Sequence, residues 1–301
     1  MTKEIIVHIC IVLIAYLLMF QKQSKKSYLF NSIILICFAY VIYKYIPWTT
    51  YGSAYFKYLY LGYFISISIL SLKFAKRIEK SELSVWLKLG KYALKTILII
   101  FISAVLFVDI SARKNNSLDT VYLDFPFKNG TYYITSGGNN PFLNYHLELD
   151  ETYYHRAFDI NKLGKYGMSG TKLPARETKN TDSYIYADSV FSPCSGVVTT
   201  VYRNESDHEP GELIKFKNLK PNLVSIKNGD YYIVLAHFKQ NTIVVDSMEM
   251  IDKGDFIGLI GNSGESSSPH LHIHARDKIL NPVEIIFNNK KYKKNDIVRM
   301  E

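Results

Sequence analysis

Histidines and an aspartate in the second half of the chain carry the residue types and spacings of a metal site. Six of the eight histidines lie in the second half of the 301 residues. His155 and Asp159 are four residues apart, which places both side chains on one face of a regular backbone. Imidazole nitrogens and carboxylate oxygens are both good ligands for zinc. The spacing therefore indicates a metal site, although such a pair alone also arises by chance.

Three more histidines alternate in a short β-rich segment. Alternate residues of a strand share a face, so His270, His272 and His274 would point one way, and Leu271 and Ile273 the other way, into apolar packing. Three protonated rings would repel one another, whereas metal binding requires neutral rings. The segment favours a metal site over a solvated polar strand face.

The ordered set resembles the lysostaphin-type zinc endopeptidases (family M23), which cut peptide cross-bridges in bacterial cell walls. That pattern has a His-x-x-x-Asp, a later histidine after a strand, and a glycine-rich segment that leads to His-Leu-His. Here these are His155 and Asp159, then His237, then the segment Gly261–Gly264 before His270-Leu-His272. The resemblance covers about residues 130–285 and implies a mainly-β, antiparallel lysostaphin-like fold.

The resemblance also implies roles for single residues. His155, Asp159 and His272 would bind zinc, and His237 and His270 would be catalytic without being ligands. Three protein ligands leave a position for water, whose pKa zinc lowers towards ~7. The two free histidines can then move protons or support the oxyanion.

Two positions leave alternatives open. His146 lies in an upstream segment where some relatives place a ligand, so it rivals His155. His274 stands where the family often has an acidic residue, and it is interpreted as an exposed strand residue or as a partner that orients a ligand; the former is favoured. Ala157 replaces a frequent glycine, which is a mild departure. His208 lies in a polar loop and receives no role.

The elements that must position these residues are short strands. Tyr132–Thr135, Val197–Tyr202, Tyr231–Ala236, Thr242–Val245 and Phe256–Ile260 are predicted strands, and Asn228-Gly229 predicts a hairpin turn before the third. Strands at this spacing predict an antiparallel sheet folded on itself. Residues 161–181 are predicted to form a long loop.

The first third of the chain is a different kind of sequence. Four apolar stretches, 5–20, 28–46, 55–74 and 92–110, approach the ~20 residues that cross a bilayer, the first being the shortest. His8 and Asp109 lie near the ends of these stretches and are interpreted as interfacial residues. We predict four transmembrane helices in residues 1–111, a linker in 112–123, and a peptidase domain in 124–301.

Charge supports a membrane rather than nucleic acid as the partner of the basic region. Residues 1–118 carry a net charge of +11 and residues 119–301 a net charge of −2. The cations cluster in the loops after the first and third stretches. By the positive-inside rule these loops are cytoplasmic, which puts the N-terminus and the peptidase domain outside the cytoplasmic membrane. The cations are Lys22, Lys25, Lys26, Lys76, Arg77, Lys80, Lys88 and Lys91.

The cysteines exclude a thiolate zinc site. Only three are present, none of them in a Cys-x-x-Cys pair, and Cys194 is predicted to be a buried structural residue.

The sequence thus predicts a multi-pass zinc (Zn²⁺) metalloendopeptidase whose substrates are peptidoglycan cross-links or stem peptides. It indicates no nucleic acid and no particular protein partner. The alternative is an inactive relative that acts as a wall-binding or regulatory scaffold. Transport has little support, because the stretches lack broken pairs and carry few charges.

Overall fold

The protein consists of two compact units in the computed structural model, Met1–Lys114 and Asn115–Glu301. The structure describes residues 3–19, 25–74, 85–114, 118–149, 152–171, 177–211 and 220–301. The second unit includes a strand at Thr120–Leu123, where the sequence predicted part of a linker.

In the first unit the described residues form four helices: α1 Lys3–Met19, α2 Lys25–Tyr45, α3 Phe56–Phe74 and α4 Val85–Lys114. Two of them contain spans that are long and apolar enough to cross a membrane, Ser27–Tyr45 and Leu89–Ala112. The apolar cores of the other two are shorter, Ile6–Tyr16 and Phe56–Leu70. The sequence predicted four spans; two candidates are found among the described residues. Four of the cations on which the predicted orientation depends lie outside the described residues, namely Lys22, Lys76, Arg77 and Lys80.

Asp109 differs from the sequence prediction of an interfacial residue. Its carboxylate accepts a hydrogen bond from the Lys44 ammonium at 2.6 Å, and both side chains are less than a tenth exposed. His8 also has partners: its ring bonds the Tyr60 hydroxyl and lies 3.0 Å from the Tyr51 carbonyl oxygen. Both polar groups are therefore satisfied inside the helical unit, as buried polar groups must be.

The described residues of the second unit form twelve strands. They are β1 Thr120–Leu123, β2 Gly130–Ser136, β3 Phe158–Leu163, β4 Ser189–Phe191, β5 Gly196–Tyr202, β6 Leu223–Asn228, β7 Tyr231–Ala236, β8 Met250–Ile251, β9 Phe256–Leu259, β10 Leu271–Arg276, β11 Pro282–Phe287 and β12 Ile297–Met300. Ten form one sheet, whose main order is β12-β2-β3-β10-β7-β6-β5-β8, with β11 against β10 and β1 against β11. Strands β4 and β9 form a second, two-stranded sheet.

The predicted antiparallel pairing is confirmed with one exception, since β1 and β11 run parallel. The hairpin between β6 and β7 is also confirmed. Asn228 pairs with Tyr231 across it, so Gly229 and Asp230 form a two-residue turn, and Gly229 has a φ of +59°. Glycine adopts this left-handed backbone at little cost.

One strand prediction and one loop prediction differ from the structure. Residues 242–245 do not form a strand. The Val244 amide donates to the Ile257 carbonyl oxygen at 2.9 Å, but the segment bonds its neighbour only at isolated points and so forms no continuous ladder. The predicted loop 161–181 begins inside β3. Residues 172–176 of that prediction lie outside the described residues.

The middle of the main sheet positions the histidines. Strand β10 lies between β3 and β7, and the residues on one of its faces, Leu271, Ile273 and Ala275, are fully buried in the core. His272 and His274 therefore project from the opposite face, as the alternation predicted. Cys194 is buried in the same core, as predicted.

Candidate metal centre

Asp159 and His272 are brought together by strand register. The two residues are direct partners across β3 and β10. The Nδ1 atom of His272 lies 3.1 Å from Oδ1 of Asp159, and both residues are almost fully buried. A buried carboxylate surrounded by imidazoles is electrostatically unusual, and it marks this point as the centre of the site.

His146 reaches the same carboxylate from a loop. It lies in a short 3-10 helix, Tyr145–Glu148, and its Nε2 atom is 3.5 Å from Asp159 Oδ1. Its Nδ1–H donates to Oδ1 of Asn144 at 2.8 Å. Because an amide oxygen only accepts, the proton is on Nδ1, and the lone pair of Nε2 faces the carboxylate. The ring is 2% exposed.

Asn144 holds this loop against the chain that leads into β3. Its amide nitrogen donates to the carbonyl oxygens of Gly138, His155 and Ala157 at 3.0, 3.2 and 3.2 Å. Its side chain has no exposure to solvent. No role was predicted for Asn144 from the sequence, although its place two residues before the candidate ligand His146 could have indicated a hydrogen-bond partner of that ring.

His155 is not brought into this group. Its Nε2 atom lies 3.0 Å from the carbonyl oxygen of Leu149, and the residue is partly exposed. Two side chains four residues apart share a face only where the backbone between them is regular, but β3 begins only at Phe158. A short 3-10 helix at Thr152–Tyr154 and a turn precede it, so His155 and Asp159 do not share a face.

Three described residues can hold a metal ion together. One ligand atom from each of His146, Asp159 and His272 lies within 4.8 Å of the other two, and all three residues are buried. Two imidazoles and a carboxylate match the donor set of catalytic zinc sites, which leave one position for water. The chemistry of the residues therefore fits zinc, with His146 in the place that the sequence analysis gave to His155.

His237 and His270 stand beside this group. His237 directly follows β7 with a φ of +70°, and its Nδ1–H donates to the carbonyl oxygen of Ser263 at 2.8 Å. The Nδ1–H of His270 donates to the carbonyl oxygen of Ser268 at 2.8 Å, and its Nε2 is 3.5 Å from Asp159 Oδ1. The two ring centroids are 4.7 Å apart. In its neutral form each ring keeps Nε2 as a proton acceptor.

Burial sets the protonation of the histidines. Burial lowers the pKa of His146 to about 4, against the opposing charge of Asp159. It also holds the pKa of His237 and of His274 well below the usual range, with the charge of His272 adding to the effect. These rings are neutral at pH 7, which is the form that binds metal or accepts a proton.

For two residues of the site, neighbouring charges outweigh the effect of burial on the pKa. Burial alone would raise the pKa of Asp159, but the charges of His146 and His270 hold it well below its usual range. Burial alone would lower the pKa of His270, but the charge of Asp159 raises it overall. Asp159 is therefore an anion at neutral pH and attracts cations to the site.

His274 and His208 differ from their sequence interpretations. His274 is 3% exposed rather than an exposed strand residue, and its Nδ1 lies 3.1 Å from Nε2 of His272. His208, which received no role, is buried, and its Nε2–H donates to the carbonyl oxygen of Gly264 at 2.7 Å. His208 thus fixes the glycine-rich loop that precedes His270.

Comparison with known proteins gives a family for the central part of the second unit. Residues 181–284 match the model of Peptidase family M23. Within these residues the chain resembles an M23 peptidase domain. No curated protein matches the chain. The matched residues include His237, His270 and His272, whereas Asp159 and His146 precede them and join them through the sheet and the loop.

Solved structures of other proteins, two of them peptidases by name, are similar to part of the chain. A zinc-containing peptidase from Vibrio cholerae is 19% identical over 55% of this chain and 39% of that one, with a TM-score of 0.33. The catalytic domain of lysostaphin from Staphylococcus simulans is 17% identical over 33% and 71%, with a TM-score of 0.23. Helicobacter pylori Csd3 is 14% identical over 60% and 36%, with a TM-score of 0.31. The chain therefore spans well under half of the Vibrio cholerae peptidase.

Proposed function

We propose that the protein is a membrane-anchored zinc metalloendopeptidase that hydrolyses peptide bonds in peptidoglycan cross-links or stem peptides. The observation that carries the proposal is the buried cluster of His146, Asp159 and His272, with two further histidines beside it. Support for peptidase chemistry comes from the M23 match of residues 181–284.

In this proposal the zinc ligands are His146, Asp159 and His272. His146 replaces His155, the ligand that the sequence resemblance implied, because His146 directs a ring nitrogen at Asp159 whereas His155 directs its Nε2 atom at the carbonyl oxygen of Leu149. Asn144 fixes the ring of His146 by accepting from its Nδ1–H. Such a hydrogen bond sets the tautomer and makes the ring a better ligand.

The chain's own residues then supply the proton transfers. Bound zinc would lower the pKa of a coordinated water towards ~7 and polarise the scissile carbonyl. The free Nε2 atoms of His237 and His270 can take the proton of the water and return it to the leaving amine. Once protonated, either ring can also donate to the developing oxyanion. Because each ring is anchored through Nδ1–H to a backbone carbonyl, Nε2 stays in place throughout.

Membrane anchoring is the second part of the proposal. It is supported by two candidate spans in α2 and α4 and by the basic charge of residues 1–118. In the proposed topology the chain passes the cytoplasmic membrane several times, and the peptidase domain lies outside, where peptidoglycan is found. The lipid bilayer is then a partner of the helical unit.

A digestion experiment tests the peptidase. Full-length protein in mild detergent is incubated with purified peptidoglycan, and new amino groups and muropeptides are measured with and without a zinc chelator. The proposal expects new amino groups that disappear with chelator and return with added zinc. An inactive scaffold would bind peptidoglycan without releasing amino groups, and that result would contradict the proposal.

A further inference from the structure

His274 forms a contact that the proposed reaction does not use. Its Nδ1 atom is 3.1 Å from Nε2 of His272, its neighbour on the same face of β10. The ring is 3% exposed and packs near the rings of Tyr154 and Tyr153, with centroids 4.9 and 5.7 Å away. Burying a second histidine against a candidate ligand costs free energy unless its ring nitrogens are hydrogen-bonded.

The other histidines of the site show how the contact between His274 and His272 can act. His146, His237 and His270 each donate Nδ1–H to an oxygen that can only accept, which directs Nε2 inward. The ring of His272 has the opposite orientation: its Nδ1 faces Asp159, and its Nε2 points away from Asp159. Among the hydrogen bonds of the described residues, the outer nitrogen of His272 has no carbonyl acceptor; it meets Nδ1 of His274.

We propose that His274 is a positioning residue that accepts the Nε2–H of His272 and so presents Nδ1 of His272 to the metal. This inference rests on the proposed function, because it concerns the metal-loaded site. It requires a neutral His274 whose own proton is on Nε2. Hydrogen-bonded partners of this kind orient metal ligands, and their loss typically costs 10–100-fold in metal affinity.

Two substitutions separate the hydrogen bond from the packing. His274→Phe keeps a ring between Tyr153 and Tyr154 but removes the acceptor. His274→Asn removes the ring but keeps an acceptor, Oδ1, on the same branch as Nδ1. If His274 acts through its hydrogen bond, the phenylalanine variant is the impaired one, and the asparagine variant rescues it.

The experiment measures zinc affinity by chelator competition in the full-length wild type and both variants. Thermal unfolding of the metal-free proteins serves as the folding control. We expect the zinc dissociation constant to rise by about 10–100-fold in His274→Phe and to stay within about threefold in His274→Asn. Equal affinity of His274→Phe and wild type overturns the inference, and so does an equal loss in both variants. A wild type that binds no zinc instead overturns the proposed function, and the inference with it.

A measurement on the wild type alone covers the case of a variant that does not fold. Nitrogen chemical shifts of ¹⁵N-labelled histidines report which ring nitrogens carry protons. In the zinc-loaded protein we expect a proton on Nε2 of His272 and none on Nδ1 of His274. A His272 without a proton on Nε2 would overturn the inference.

Discussion

At the scale of single residues, the site is defined by the direction in which each imidazole ring points. Asn144 and the carbonyl oxygens of Ser263 and Ser268 each fix one ring through its Nδ1–H. A histidine motif read from sequence gives the residue types but not these partners, because the partners lie elsewhere in the chain. That is why Asp159 and His272 could be chosen from the sequence, whereas the choice between His146 and His155 needed the backbone.

Replacing His237 by alanine tests the proton-transfer role. We expect kcat for peptide hydrolysis to fall by about 10²–10⁴-fold, the usual contribution of a general acid or base. The zinc content should not change, because His237 is outside the three-residue cluster. Gln240→Ala, an exposed change three residues away, is the control and should keep full activity. A His237→Ala enzyme with wild-type kcat would show that this ring takes no part in the reaction.

Glu177 makes stability depend on pH. Burial raises the pKa of Glu177 to about 7, and the charge of Asp182 adds to the effect. A carboxyl whose pKa is raised on folding stabilises the fold at low pH, and this contribution is lost as the pH rises from about 4.5 to about 7. Glu177→Gln should therefore be more stable than wild type at pH 8 by about 1–3 kcal/mol, and lose that advantage at pH 4.

Urea unfolding of wild type and Glu177→Gln at pH 4 and pH 8 measures this difference. The contradicting result is a wild type that is as stable as the variant at pH 8, since the carboxylate would then be ionised without cost.

At the scale of elements, the glycine-rich loop before β10 is fixed by close packing. Gly264 has a φ of +71°, and a Cβ atom there would lie 2.5 Å from the Cα atom of Pro221. The carbonyl oxygen of Gly264 accepts from His208. The loop also contains Ser263 and Ser268, whose carbonyl oxygens accept the hydrogen bonds that orient the rings of His237 and His270.

Gly264→Ala and Gly254→Ala form a matched pair that tests this packing. Gly254 has a φ of +89° but open space around it. Gly254→Ala should cost only the backbone strain, about 1 kcal/mol, whereas Gly264→Ala should cost about 2–4 kcal/mol because of the added clash. Chemical denaturation measures both losses. Equal losses would show that the loop adjusts freely around Pro221.

Strands were predictable where side chains alternate or branch at Cβ. Strands β5 and β7 follow the sequence prediction closely, since both are rich in β-branched and aromatic residues, and β10 follows the alternation of His272 and His274 with apolar residues. Residues 242–245 are equally β-rich but form no strand, because pairing depends on a neighbour that local sequence does not describe. The same limit applies to β1, whose parallel partner β11 lies more than 150 residues away.

At the scale of the whole molecule, the chain joins a helical unit to a β-rich unit in which residues 181–284 match Peptidase family M23. The change in composition between the two was visible in the sequence, and the boundary at Lys114 lies close to the end of the last apolar stretch. The number of membrane spans was less predictable, because α1 and α3 have apolar cores shorter than α2 and α4.

Reporter fusions test the proposed topology. Alkaline phosphatase fused after residue 114 should be active, because the positive-inside rule places that point outside the cytoplasm. A fusion after residue 80, in the basic loop, should be inactive. A fluorescent protein at the same two points should give the reverse pattern. Activity only at residue 80 would contradict the assignment of the domain to the cell-wall side.

Zinc content is the most direct test of whether His146, Asp159 and His272 form a metal site. Full-length wild type, His146→Ala and His155→Ala are purified identically, and zinc per chain is measured by mass spectrometry of the element. We expect about one zinc per chain in the wild type and in His155→Ala, and a loss of most of it in His146→Ala, which removes one of three protein ligands. Zinc lost from His155→Ala but kept in His146→Ala, or absent from the wild type, would show that His146, Asp159 and His272 do not form the zinc site.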